Sequence, residues 1–195
     1  MGYNIQQTSG SIQFTDNPTI VGAANQPATG SISVKQEQFG ALCKTTLTLD
    51  NVPQTVVNGT EYQGTKIYDF AQGRILMLGV TATLQQKTTS ALASTLNASS
   101  VGAIALGTVT ASATTLSATM VDLLPSTAFT SSATINVAGT AVSAALGASA
   151  HFDGTTTAKD VYLNTAYATT TDVDGNATQT ISGTVVMTWI DLGDY

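Results

Sequence analysis

Residues 41–50 read ALCKTTLTLD, and polar and apolar side chains alternate along this stretch. The odd positions are mostly apolar, with Cys43, Leu47 and Leu49 among them, whereas the even positions from 44 to 50 carry Lys, Thr and Asp. In an extended chain, a period of two sends alternate side chains to opposite faces. The stretch therefore predicts a β-strand with one buried face, and it places Cys43 in the core as a small apolar residue.

The same alternation recurs elsewhere in the chain. Residues 180–191 predict a second strand, whose buried face carries Ile181, Val185, Met187 and Trp189. Residues 74–86 predict a third, whose shared face carries Leu76, Leu78, Val80, Ala82 and Leu84. Residues 51–53 are predicted to turn the chain before a short strand at 54–57. Further strands are predicted at 65–70, 102–109, 133–137 and 159–168. Roughly eight to ten strands without alternating helices predict an all-β fold, an antiparallel β-sandwich or a jelly-roll-like fold.

Residues 1–40 are polar and rich in Gln, Gly and Ser. Within them, SGSIQF (9–14) and TGSISV (29–34) each place two apolar residues at a period of two after a glycine. Two short strands, or an extended arm that pairs with a neighbour, both fit this pattern. The chain is therefore interpreted as an N-terminal arm or first short strands at 1–40, followed by a β-sandwich or jelly-roll domain at 41–195.

Residues 88–152 carry a single charge, Asp122, and consist mainly of Ala, Thr, Ser, Gly and Val. Four apolar residues have the spacing of a short helix that stops at Pro125: Leu116, Met120, Leu123 and Leu124. Residues 142–146 favour no one structure. A segment so poor in charge favours close β packing and self-association, so we expect a homo-oligomer or a larger assembly to hide it. The alternative is a β-protein of biased composition with no special interface.

Composition excludes several classes of function. Charged residues make up 9% of the chain, against about 25% in an average soluble domain. The net charge of −6 argues against binding nucleic acid through a basic surface. One Cys and one His exclude an internal disulfide and make a Cys/His zinc site implausible. We expect no signal peptide and no membrane span, hence synthesis in a cytoplasm.

Few residues point to chemistry. His151 precedes Asp153 by two residues, so a strand would place both on one face, but no G-x-S-x-G elbow accompanies them. We interpret His151 as a surface or interface histidine. Asp172, Asp174 and Asn176 match the start of a calcium loop that then departs from the pattern, and a polar turn explains them equally well. A weak cation site there is left open, as is a carboxylate pair elsewhere. No enzyme activity, catalytic residue or cofactor is predicted.

Residues 152–195, FDGTTTAKDVYLNTAYATTTDVDGNATQTISGTVVMTWIDLGDY, resemble the C-terminal strands of the capsid decoration (cement) proteins of tailed bacteriophages. Residues 109–127, VTASATTLSATMVDLLPST, have the same character. The resemblance implies a jelly-roll or related β-fold, no catalysis, and a place on the outside of the virion head, bound to the major capsid protein. It also implies a homo-oligomer, with a trimer favoured and a dimer possible, and an arm at 1–40 that clamps capsid subunits.

The alternative is a binding module on the virion surface, such as a fibre tip or an adhesin that recognises a host glycan or protein. This function predicts aromatic side chains clustered in exposed loops. The candidates are Tyr62, Tyr68, Tyr162 and Tyr167, all of which also fit strand positions.

Overall fold

The computed structural model describes residues 5–8, 11–14, 22–24, 30–88, 101–130, 137–138, 142–143, 150–168 and 175–194. The strands are β1 Ile5–Thr8, β2 Ser11–Phe14, β3 Gly22–Ala24, β4 Ser31–Phe39, β5 Leu42–Val56, β6 Tyr62–Phe70, β7 Gly73–Thr88, β8 Val101–Gly107, β9 Leu124–Thr130, β10 Val137–Ala138, β11 Val142–Ser143, β12 His151–Gly154, β13 Asp160–Tyr167 and β14 Ala177–Gly193. Among these residues, no helix has both the length and the apolar character needed to cross a bilayer.

The strands form an antiparallel β-sandwich, as the alternation predicts. The larger sheet has the order β10-β7-β14-β5-β4, with β11 and β12 also paired along β7. The smaller sheet has the order β3-β6-β13-β8-β9, and β1 pairs with β2 alone. The core lies between the two sheets. At its centre the Trp189 indole packs edge-on against Phe70, with ring centroids 5.0 Å apart, and donates a hydrogen bond to Thr45 Oγ1 at 3.0 Å.

The first half of β5 follows the prediction, and the second half does not. Cys43, Leu47 and Leu49 are buried as predicted. The predicted turn at 51–53 is wrong, because β5 continues unbroken to Val56. Asn51 (φ 51°) is instead an extra residue at a bulge opposite β14, where its backbone N–H donates to Ser182 Oγ at 2.9 Å. A bulge shifts the alternation by one residue, so the buried positions are even from Val52 onward.

A second bulge corrects the predicted face of β7. Val80, Ala82 and Leu84 are buried as predicted, but the residues buried before them are Ile75 and Met77. The pairing with β14 shifts between Thr188 and Trp189, because Gly79 pairs with Thr188 while Met77 pairs with Trp189. Leu78 is the extra residue, and it reverses the alternation before it. Leu76 therefore lies between the buried Ile75 and Met77, and both leucines are half-exposed.

Polar side chains cross the core at one end of the sandwich. Thr165 donates to Gln54 Oε1 at 2.9 Å, and the Tyr167 hydroxyl donates to Gln179 Oε1 at 2.7 Å. Gln86 also donates to Tyr167 and Gln179, while its Oε1 atom has no partner. These groups link β5 and β14 of one sheet to β13 of the other. The core is therefore apolar around Trp189 and hydrogen-bonded at this end.

Residues 108–123, here called the cover, lie over the outer face of the smaller sheet. The predicted short helix is reduced to one 3₁₀ turn at Ala118–Met120, and Leu124 already belongs to β9. The four residues assigned to the helix face are nevertheless buried: Leu116, Met120, Leu123 and Leu124. Leu123 and Leu124 belong to the main core, whereas Leu116 and Met120 are buried between the irregular segment and the smaller sheet, so the spacing does not indicate a helical face. Leu116, Met120 and Ala111 form a small core of their own with Ala105 and Ala166 of the sheet.

Asn164 of β13 holds the cover in place. Its Oδ1 atom accepts the Ala111 N–H at 2.8 Å. Its Nδ2 group donates to the carbonyls of Val109 and Met120, each at 2.9 Å. Asn164 is fully buried, so these bonds replace water for both the side chain and the cover backbone.

Residues 1–40 contribute described strands to the sandwich. β3 pairs with β6 of the smaller sheet, and β4 pairs with β5 at the edge of the larger one. In β4, Ile32 is buried in the core, and Gln36 Oε1 accepts a hydrogen bond from the Tyr68 hydroxyl at 3.2 Å.

Candidate interaction surface

The outer face of the larger sheet is built from the alternate side chains of β4, β5, β14 and β7 that point away from the core. Hydroxyl groups dominate one part of this face. Ser33 pairs with Thr48, Thr48 with Thr184, and Thr184 with Thr83 in one row across the four strands. These side chains are exposed or half-exposed. Threonine suits such a pleated surface because its β-branched side chain packs sideways and its hydroxyl stays hydrated.

A second row on the same face is apolar. Phe39 pairs with Leu42, Leu42 with Ile190, and Ile190 with Leu76; these four residues are here called the apolar row. Phe39 is 55% exposed and Leu42 is 38% exposed, while Ile190 and Leu76 are half-exposed. Directly paired residues on one face are about 5 Å apart at their Cβ atoms, so the four side chains are contiguous.

Two further leucines widen the apolar row. Leu78 follows Leu76 on β7 and is half-exposed. Leu192 follows Ile190 on β14 and is 37% exposed. Single exposed apolar residues are ordinary, but a contiguous group on a flat sheet is typical of a surface that binds another macromolecule.

Three of the charged side chains on this face form ion pairs. Lys35 Nζ lies 3.3 Å from Glu37 Oε1, and Lys44 Nζ lies 3.5 Å from Glu37 Oε2. The hydrogen bond and charge of Lys35, with a further contribution from Lys44, hold the pKa of Glu37 below its ordinary value. All three side chains are well exposed, so these pairs contribute little to stability and leave the face close to neutral.

His151 lies at the margin of this surface. It is exposed on the short edge strand β12 and pairs with Leu76, next to the apolar row. Asp153 shares its side of the strand, as predicted, but is turned into a local motif. Its Oδ1 atom accepts the Thr155 N–H at 3.1 Å and the Thr155 hydroxyl at 2.7 Å. These hydrogen bonds hold the pKa of Asp153 below its ordinary value, with small contributions from Arg74 and His151.

The other predicted residues lie apart from this surface. Cys43 is fully buried, and burial, together with the charge of Asp191, raises the pKa of its thiol to about 11. Asp172 and Asp174 lie outside the described residues. Asn176 is exposed, and its Oδ1 atom accepts the Asn58 N–H at 2.9 Å. In the described part of the chain, no three His, Cys, Asp or Glu side chains are grouped to hold a metal ion.

One pair of carboxylates is brought together by register, since Asp160 pairs with Asp69. Lys66 Nζ lies between them, 2.7 Å from Asp69 and 3.7 Å from Asp160. Burial and the neighbouring Asp69 raise the pKa of Asp160, while Lys66 opposes the rise. The arrangement is a small ion-pair cluster at a strand end, in which the lysine neutralises the acids.

The tyrosines do not form an aromatic binding site. Tyr68 and Tyr167 are buried in the core. Tyr62 packs against the cover, and the Tyr162 hydroxyl donates to Asp160 at 3.2 Å. Each therefore has a structural position within the described residues.

Comparison with known proteins identifies no relative. Scans against protein-family models, curated proteins and solved structures find no match.

The sequence analysis missed the apolar row because it assigned Leu76 and Leu78 to the core. The stretch ILMLGV (75–80) is apolar at every position, so its sequence does not show which side chains face the core and which face outward. Gly79 was the available signal, because a glycine inside a strand often marks a bulge. Once the phase is shifted there, both leucines face outward, and Leu76 pairs with Ile190.

Proposed function

We propose that this chain is a structural virion protein, a capsid decoration protein that binds the outside of a phage head and stabilises the shell. The outer face of the larger sheet is the docking surface, and the major capsid protein is the partner. The observation that carries the proposal is the apolar row, a contiguous apolar group on a sheet face that also carries a row of small hydroxylated side chains. The resemblance of residues 152–195 to decoration proteins supports the same function.

The chemistry of the face suits static attachment. Each large apolar side chain buried against a partner contributes about 1.5–3 kcal/mol before the costs of association. Threonine hydroxyls tolerate either water or a partner's polar groups, so shape complementarity decides the fit. Neither a cleft nor a reactive group is needed for this role. The shell is stabilised because each bound copy bridges neighbouring capsid subunits, and their separation then requires loss of the bound interface.

An adhesin or fibre-tip module is less well supported. Such a module relies on rigid aromatic anchors at its surface. The four candidate tyrosines are engaged in the core, beneath the cover or beside Asp160. The exposed apolar side chains of the described sheet face are mostly aliphatic, which fits a broad protein contact better than stacking on sugar rings.

Attachment is tested by sedimenting the purified chain with heads of the phage that encodes it, prepared without this protein. Leu42→Thr should weaken attachment about tenfold, and Leu42→Thr with Leu76→Thr should weaken it further, because threonine keeps the strand but removes apolar contact. The matched control is Val109→Thr, which changes a residue of similar exposure, 44%, on the opposite side of the sandwich.

Thermal unfolding of each variant shows that the fold persists. Equal attachment by the control and the Leu42 variants would overturn the docking surface. Failure of the unaltered chain to bind heads would overturn the function itself.

A further inference from the structure

The sheet continues beyond the apolar row onto β12, where it carries a histidine. β12 pairs with β7, and the register places His151 directly opposite Leu76. The next residue, Phe152, packs against the core, so His151 points to the outer face of the larger sheet. Its side chain is exposed. The imidazole therefore extends the apolar row onto the neighbouring strand, at the spacing of a directly paired residue.

The described charged groups near His151 come from three strands. Asp153 lies on β12 itself, and Arg74 of β7 is paired directly with it. Asp153 attracts a charged imidazole, whereas Arg74 repels it. On β14, the next strand of the sheet, Asp191 accepts the Gly193 N–H at 2.9 Å, and Asp194 is exposed just after the strand. Carboxylates and guanidinium groups ordinarily keep their charges between pH 5 and 8.

Histidine is the side chain that ordinarily changes its charge in this range, at about pH 6.5 in water. His151 is the single histidine of the chain. A partner that covers Leu76 also removes water from the neighbouring imidazole. Loss of water disfavours the charged form, while the neutral ring offers an apolar body to the contact.

We infer that His151 is part of the docking surface and makes attachment sensitive to pH, with the neutral imidazole packed against the partner and the charged form weakening the contact. This inference rests on the proposed function and adds a regulated position to the same surface. It also specifies the partner, because the capsid surface opposite His151 must be apolar. A carboxylate at that place would bind the charged imidazole and reverse the pH dependence.

The test is sedimentation of the full chain with heads that lack this protein, at pH 7.5 and pH 5.5. Attachment should be about five- to tenfold weaker at pH 5.5, because histidine is then mostly charged in the free chain and must lose its proton on docking. His151→Gln is neutral at both pH values. The variant should therefore bind with a ratio of less than about twofold between them, which separates His151 from groups on the heads that also titrate.

The matched control combines His151→Gln with Val109→His, which moves the single histidine to an exposed position on the opposite side of the sandwich. It should not restore the pH dependence, and thermal unfolding at both pH values shows whether each chain stays folded. If the unaltered chain binds equally at both pH values, binds more tightly at pH 5.5, or shares its pH dependence with His151→Gln, the role of His151 is refuted and the docking surface stands. Absence of binding at either pH overturns the proposed function, and this inference with it.

Discussion

The two outer faces of the sandwich are finished in different ways. The smaller sheet is covered by the chain's own residues 108–123, which bring Leu116 and Met120 down onto it. The outer face of the larger sheet keeps its threonines and its apolar row exposed or half-exposed. The difference supports the proposed docking surface on the larger sheet, because the chain covers one outer face and leaves apolar area exposed on the other.

The comparison also bears on the charge-poor middle of the sequence. Its low charge led us to expect that an assembly would hide residues 88–152. In the described part of that range, the cover lies on the smaller sheet around Asn164, with Leu116 and Met120 buried and much of its outer side, including Val109, exposed. Glycines allow this close approach: a Cβ atom on Gly107 would lie 2.3 Å from the Met120 carbonyl carbon. Low charge therefore does not by itself mark the candidate interface, which consists of strands with more polar sequences, and the expectation that an assembly hides the middle segment stays a prediction.

The largest effect is expected from removing the edge of the exposed sheet. A chain lacking residues 1–40 loses β4 and with it the buried Ile32 and the hydrogen bond from Tyr68 to Gln36. Loss of a core strand should cost more than about 5 kcal/mol, which is enough to unfold many domains. Urea unfolding followed by tryptophan fluorescence measures this loss, since Trp189 is the single tryptophan.

The matched truncation removes residues 1–29 and keeps β4. It should remain folded, with a loss of less than about 2 kcal/mol, because only β3 pairs with the sandwich among the described residues removed. If residues 1–29 clamp capsid subunits, this chain loses attachment to heads while staying folded. Full attachment by the 30–195 chain would refute the arm and leave the apolar row as the sole basis of docking.

Substitution of Asn164 should detach the cover from the smaller sheet. Asn164→Ala removes three hydrogen bonds and leaves the Ala111 N–H and the Val109 and Met120 carbonyls without their partner. At about 1–3 kcal/mol for each buried group, we expect a loss of about 4 kcal/mol. Hydrogen exchange should accelerate in residues 108–123 and stay slow in β5 and β14.

Asn176→Ala is the control, since that amide also accepts a backbone N–H but is exposed; its loss should be under about 1 kcal/mol. Equal losses for the two asparagines would show that the cover contributes no more than an ordinary surface contact.

The sequence predicts the fold wherever alternation is unbroken. Cys43, Leu47 and Leu49 of β5 and Ile181, Val185, Met187 and Trp189 of β14 are buried as predicted. The prediction fails at bulges, because one extra residue reverses the faces beyond it. At Asn51, the bulge interrupts the alternation, so the sequence analysis predicted a turn and two strands where the structure has one long strand. At Leu78–Gly79 it hid the outward leucines.

The candidate surface could not be predicted from one strand alone. It depends on Leu42, Ile190 and Leu76 being paired across β5, β14 and β7, and this pairing is a property of register between residues far apart in sequence. The cover was missed for a different reason. The spacing of Leu116, Met120, Leu123 and Leu124 matches a helix. The segment is nevertheless held by Asn164 of β13, which lies 40 or more positions after all four residues in the sequence.

The smallest effect concerns Asp122, the single charge of the middle segment. Its Oδ1 accepts the Thr108 N–H at 2.8 Å and its Oδ2 accepts the Thr108 hydroxyl at 2.7 Å. Burial raises the pKa of Asp122 above its ordinary value of 3.8, although both hydrogen bonds from Thr108 oppose the rise. Folding therefore favours the protonated acid, and this contribution is full below the unfolded pKa and is lost as the pH rises through the folded pKa.

Asp122→Asn keeps an acceptor for the N–H and removes the titration. At pH 7 we expect a change of less than about 1 kcal/mol, neutral or stabilising. The stability of the unaltered chain relative to the variant should rise as the pH falls towards 3, measured as the difference between their urea midpoints. If the stability of the unaltered chain relative to the variant instead falls on acidification, the Thr108 hydrogen bonds outweigh burial in setting the pKa of Asp122. The edge of the cover would then be more open to water than it is in this structure.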